Sequence, residues 1–159
     1  MSTYKSNEEK LGKLGEDLVA SLEDATLSEY KYDSTKDMTQ RDGTKIEVKT
    51  QNRHPNGSFT VNAMHVTNLN KCLSVDRLIF VEYDETDYIK VFECTDRKYR
   101  LVNTKPTRYE PEGRIMVCWP IDKMKKLAEI HNPELAKEMR SLSNSRLYNK
   151  NSQYSIGNQ

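Results

Sequence analysis

The 159-residue sequence contains no apolar run near the roughly 18 residues needed to cross a bilayer; stretches such as Leu78-Ile79-Phe80-Val81 fall far short of it. The opening Met1-Ser2-Thr3-Tyr4-Lys5 lacks the apolar segment of a secretion signal, so a cytoplasmic, intracellular location with no membrane partner is expected. Cysteine is scarce. The three present, Cys72, Cys94 and Cys118, stand too far apart for a zinc spacing and are odd in number, which leaves buried free thiols as the expectation. Glycine is equally thin, with six residues and no Gly-rich phosphate loop, and Ser58 and Ser74 carry no nucleophile signature, so nucleoside-triphosphate binding and hydrolase triads find no support. His54, His65 and His131 are scattered without ligand spacing. A surplus of one charge is also missing: 25 Lys and Arg face 24 Asp and Glu, and the net +1 excludes binding through bulk positive charge.

What is present suits one globular domain over residues 1–142, with a polar Ser, Asn, Tyr and Gln tail over 143–159. The overall charge balance conceals an asymmetry. Residues 1–37 sum to −4, while 90–108 and 123–150 each sum to +4. Carboxylates gathered at one end and cations in two downstream stretches are what a metal site beside a phosphate-binding surface needs.

Leu11, Leu14, Leu18, Val19 and Leu22 recur at spacings of three and four, which predicts an amphipathic helix from Asn7 to Glu23, with Ser6 and Glu9 forming a capping box. Strands are expected at Ser28 to Tyr32, Asp37 to Gln40, Thr44 to Gln51 and Phe59 to Asn62, then a helix from Ala63 to Leu73. Arg77 to Tyr83 reads as a buried strand with Tyr88 to Glu93 as its neighbour, and Arg114 to Trp119 as a further strand stopped by Pro120. Ile121 to Ile130 and Pro133 to Leu142 read as helices. The order argues for an α/β fold with a mixed sheet flanked by helices.

The informative stretch runs from Asp37 to Gln51. Alternation along a strand puts Ile46 and Val48 on one face and Glu47, Lys49 and Gln51 on the other. The turn decides where Asp37 points. A two-residue Asp42-Gly43 loop pairs Asp37 with Val48 and sends an aspartate to the apolar face, a costly place for an unpaired charge. A three-residue Arg41-Asp42-Gly43 loop, with Gly43 left-handed, pairs Asp37 with Glu47 and Met38 with Ile46, and this register is expected. Two carboxylates so placed repel unless a cation lies between them or one is protonated. Oxygen ligands on a half-open strand face suit Mg²⁺ or Mn²⁺, with Lys49 placed to orient or deprotonate an attacking water or to neutralise charge building on phosphate.

Asp37 followed by Glu47-Val48-Lys49, with Glu16 on the preceding helix within Gly12-Lys13-Leu14-Gly15-Glu16-Asp17-Leu18, resembles the PD-(D/E)xK nuclease superfamily, the restriction-endonuclease-like and Holliday-resolvase-like folds. The resemblance covers residues 7–93 and departs at Lys36, which stands where the name has proline. It implies that Asp37 and Glu47 ligate metal, that the Val48 carbonyl completes the shell, that Lys49 serves the attacking water and that Glu16 contributes from the helix. Glu9, Asp17 and Glu23 are rivals for the role of Glu16, and Asp33 for that of Asp37.

The implied function is a Mg²⁺- or Mn²⁺-dependent endonuclease acting on DNA ahead of RNA. With no separate recognition module visible, cleavage is expected to be structure-selective or weakly sequence-specific, and a homodimer would let two sites cut both strands. Gln51, Arg97, Lys98, Arg100, Lys105 and Arg108 are the candidate nucleic-acid contacts, with Tyr99 and Tyr109 interleaved among the cations. The alternative is a non-catalytic nucleic-acid or protein-binding module that keeps the fold.

Overall fold

The computed structural model describes residues 6–29 and 35–143. Helix α1 (Asn7–Leu22) starts where expected: Ser6 Oγ accepts from the Glu9 backbone N–H at 3.1 Å. Its buried residues Leu11, Gly15 and Val19 lie four apart, one stripe against the sheet. Strands β1 (Ala25–Leu27), β2 (Met38–Gln40) and β3 (Lys45–Asn52) follow, then β4 (Ser58–Asn62), α2 (Val66–Ser74), β5 (Arg77–Tyr83) and β6 (Tyr88–Cys94). The chain continues through β7 (Arg100–Asn103), β8 (Ile115–Pro120), a 3₁₀ turn (Ile121–Lys123), β9 (Lys125–His131) and α3 (residues 133–143).

Six strands form a mixed sheet in the order β1-β2-β3-β5-β6-β9, in which β3 and β5 run parallel and the other neighbours antiparallel. One face packs against α1 and α3 through Val19, Met38, Ile46, Val48, Ile79 and Met139. The other is covered by α2 and by a second sheet in the order β4-β8-β7, with Phe59, Phe80, Phe92 and Trp119 between the layers. The expected mixed sheet flanked by helices is present, with a second sheet that was not expected on one side.

The hairpin between β2 and β3 takes the expected register, Met38 opposite Ile46. Gly43 has φ +89°, and its N–H donates to Gln40 O at 2.9 Å while Gln40 N donates to Thr44 O at 2.9 Å, a three-residue loop with a left-handed glycine. Two expected elements are corrected. Of the strand placed at Ser28 to Tyr32, Ser28 and Glu29 are not in a strand, and a strand that was not expected, β1, precedes them at Ala25–Leu27; residues 30–34, Asp33 among them, and the tail beyond 143 lie outside the described residues. The helix placed at Ile121 to Ile130 is a 3₁₀ turn followed by β9. Leu127, Ala128 and Ile130 satisfy a helical spacing in sequence, but β6 offers an open edge there, and backbone pairing such as Ile89 opposite Ile130 outweighs local propensity. Strand β7 carried no signal in the sequence, because all its residues are exposed on an edge.

The three cysteines are free and buried, as expected, and burial pushes the Cys72 thiol up to about 12 and the Cys94 thiol up to about 11. Arg77 draws the sheet and α1 together: its guanidinium is 2.7 Å from Glu23 Oε1 and 2.7 Å from Glu93 Oε1, and donates to Gln40 Oε1 at 3.3 Å.

Helix α1 approaches β3 most closely at Gly15, where an added Cβ would collide with Thr50 Oγ1 and lie 3.1 Å from Thr50 Cβ. Gly15→Ala therefore lowers stability by about 1–3 kcal/mol, overpacking outweighing the gain in helix propensity, as read by urea denaturation.

Candidate functional site

Because β2 begins at Met38 while β3 continues to Asn52, the upper part of β3 has no β2 residue beside it. Asp37, just before β2, fills part of that gap: its Oδ2 accepts from the Val48 backbone N–H at 2.8 Å. This bond turns the carboxylate toward the face that carries Glu47 and Lys49. Glu47 is 1% exposed, and its Oε2 lies 3.1 Å from Lys49 Nζ. Lys49 opens to solvent, its side chain 27% exposed. Strand alternation thus brings Asp37, Glu47 and Lys49 together on one face, as the register predicts.

Lys71 is not among the expected site residues. It projects from α2 and lies between the two acids, its Nζ 3.1 Å from Asp37 Oδ1 and 3.2 Å from Glu47 Oε1. The approach to Asp37 is a hydrogen bond; the approach to Glu47 has ion-pair distance without hydrogen-bond direction, so Glu47 Oε1 is buried with no hydrogen bond. The available signal was positional. Lys71 adjoins Cys72 and stands four residues before Val75, both buried, and a lysine on an inner helical face needs a counter-charge.

Glu16, on α1, is near enough to Asp37 for their charges to interact. Its carboxyl is raised from an ordinary 4.5 to about 7 by burial and then by the Asp37 charge, with Lys13 and Lys71 opposing. Its rivals are placed elsewhere: Asp17 pairs with Lys13 at 2.8 Å, Glu23 belongs to the Arg77 clamp, and Glu9 sits in the first turn of α1. Glu47 is likewise raised to about 7, by burial first and the Asp37 charge second, against Lys49 and Lys71. Burial acts to lower the Lys71 pKa, but Glu47 and Asp37 outweigh it and the net direction is upward.

Among the described residues, no three His, Cys, Asp or Glu side chains come together as a ready ligand set. The pair Asp37 and Glu47 nonetheless fits a hard divalent ion that keeps several waters, since Glu47 Oε1 is a buried carboxylate oxygen lacking a hydrogen bond and both acids are oxygen donors. The position between them holds the Lys71 ammonium.

The candidate nucleic-acid contacts divide in two. Lys98, Arg100, Lys105 and Arg108 are exposed on and around edge strand β7, Arg108 lying 5.7 Å from the centre of the Tyr109 ring. Gln51 and Arg97 are engaged inside the fold. Gln51 Nε2 donates to Ser58 O at 2.9 Å and its Oε1 accepts from Thr60 N at 3.0 Å, which ties the two sheets together. Arg97 donates to the carbonyls of Cys72 at 2.7 Å, Cys94 at 3.0 Å and Asp76 at 3.2 Å. Trp119, 1% exposed, is core. No protein-family model matches this chain, and no curated protein matches it.

Both Glu16 and Glu47 bind a proton more tightly in the folded state than in the unfolded one, so their contribution to stability is fullest below about pH 4.5 and declines as pH rises to about 7. Glu47→Gln flattens that decline in urea denaturation followed from pH 4.5 to 7.5. Lys71→Met leaves two acids facing each other and costs about 3–5 kcal/mol at neutral pH. The loss shrinks toward pH 5, where Glu47 takes up a proton, and shrinks again in the Lys71→Met, Glu47→Gln double variant.

Proposed function

We propose that this protein is a divalent-metal-dependent endonuclease of the PD-(D/E)xK kind, acting on DNA, with a restriction-endonuclease-like core. The observation that carries the reading is the convergence of Asp37 and Glu47 on one cation-sized position, 3.1 and 3.2 Å from the same nitrogen, with the Lys49 ammonium 3.1 Å from that glutamate. Asp37 and Glu47 would hold Mg²⁺ or Mn²⁺, with the Val48 carbonyl as a further oxygen. The ion would supply a Lewis acid to the phosphate and make water a stronger nucleophile near neutral pH.

The chain's own groups do the rest. Lys49, partly open to solvent, orients the attacking water or offsets charge as it builds on phosphate. Glu16, with its carboxyl near 7, holds or releases a proton beside Asp37 in the working pH range. The exposed cations Lys98, Arg100, Lys105 and Arg108 give a sequence-independent hold on a phosphate backbone. That fits structure-selective or weakly specific cutting.

A second reading has a specific observation behind it. The Lys71 ammonium already neutralises both acids, which suits a module that keeps the fold and binds nucleic acid or protein without turnover. Plasmid, single-stranded and branched DNA incubated with Mg²⁺, Mn²⁺ or chelator separates the two. Cleavage that needs the cation and falls by about 10²-fold or more in Lys49→Ala and Asp37→Ala is the expected result. Binding that survives both substitutions, with no cutting of DNA or RNA, overturns the enzyme in favour of the module.

A further inference from the structure

Beyond Gln51 the same face of the large sheet holds a second polar site. Alternation continues through Arg53, whose backbone N–H donates to Tyr83 O at 2.8 Å, and across to Glu82 on β5, with Lys90 opposite it on β6. These residues and Phe92 form the floor of a cavity of about 410 Å³. Its roof is the β3–β4 loop and the 3₁₀ turn, fastened to each other by Ile121 N donating to Gly57 O at 2.9 Å. The volume lies within the range that holds small ligands.

Glu82 is 5% exposed, lines this cavity, and has no hydrogen bond or ion pair with another described residue. Burial raises the Glu82 pKa against the pull of the Lys90 and Arg53 charges, so a ligand that donates to this carboxylate offsets part of its lost hydration. An ionised carboxylate only accepts, so a ligand that relieves it must bring N–H donors, two side by side to use both oxygens. Arg53 and Lys90, the latter also 4.0 Å from Glu129, favour a negative group on that ligand, Asp122 at the roof opposes one there, and Phe92 and Ile121 suit an apolar middle.

We propose that this cavity is a subsite for a guanine nucleotide, with the base edge on Glu82 and the phosphate toward Arg53 and Lys90. The choice of ligand rests on the nuclease reading above, which supplies a strand of nucleotides on this face. Guanine presents a ring N–H next to an exocyclic amino group, whereas cytosine offers an amino group beside acceptors only. Gln51, clamped to β4, partitions this cavity from Lys49, and Arg53 lies roughly 13 Å farther along β3 than Lys49.

The test is calorimetric titration of the full chain with GMP, AMP, CMP and UMP, in chelator. GMP is expected to bind at least tenfold tighter than the other three. Glu82→Gln reduces it to their level, and Arg53→Glu, at an exposed position that does not threaten folding, weakens all four. Equal affinity for the four nucleotides, no effect of Arg53→Glu, or displacement of GMP by a free amino acid overturns the subsite. Cleavage is assayed separately with cation: a chain that cuts DNA but does not discriminate GMP loses the subsite alone, and one that binds GMP through Glu82 but cuts nothing loses the nuclease reading alone.

Discussion

Two carboxylates held beside each other under a sheet must be neutralised, and in this protein the ammonium of Lys71 meets that demand. Asp37 Oδ1 and Glu47 Oε1 flank its Nζ at 3.1 and 3.2 Å, with Lys49 on the other oxygen of Glu47. In such a low-dielectric place the arrangement gives little net stability over an apolar core, while loss of one member is costly. Its effect is one of specification. The hairpin register, the docking of α2 and the approach of α1 with Glu16 all have to be right together for the charges to balance.

How much of this was legible in the sequence follows from which interactions are local. The Ser6 cap of α1, the alternation of β3 and the left-handed Gly43 are set within a few residues, and all three are legible in the sequence. The convergence of Asp37, Glu47 and Lys49 followed from them. Position beside Cys72 hints that Lys71 faces inward, but its partners are 34 and 24 positions away, and nothing local to the helix says which acids it meets. The exchange of a helix for β9 has the same origin: the open edge of β6, where Glu93 lies opposite Lys125 and Tyr88 opposite His131, decides the backbone of Lys125–His131.

Basic and polar residues read as surface contacts turned out to hold the layers together where their partners are backbone carbonyls. Arg97 gathers three of them, one at the C-terminal end of α2, where a cation also faces the negative end of the helix dipole. Gln51 satisfies a donor and an acceptor on β4 with one amide. Charge along the chain therefore overstates the area open to a polyanion, and of the six candidate contacts the four that are exposed lie around β7.

The carboxylate of Asp37 answers to two masters. One oxygen acts as a surrogate strand for the Val48 amide, and the other carries half of the neutralisation of Lys71. An asparagine at that position retains the acceptor for the amide and surrenders the negative charge, whereas an alanine surrenders both and leaves the outer reach of β3 unzipped. Architecture and electrostatics at this residue are thus separable by a single atom.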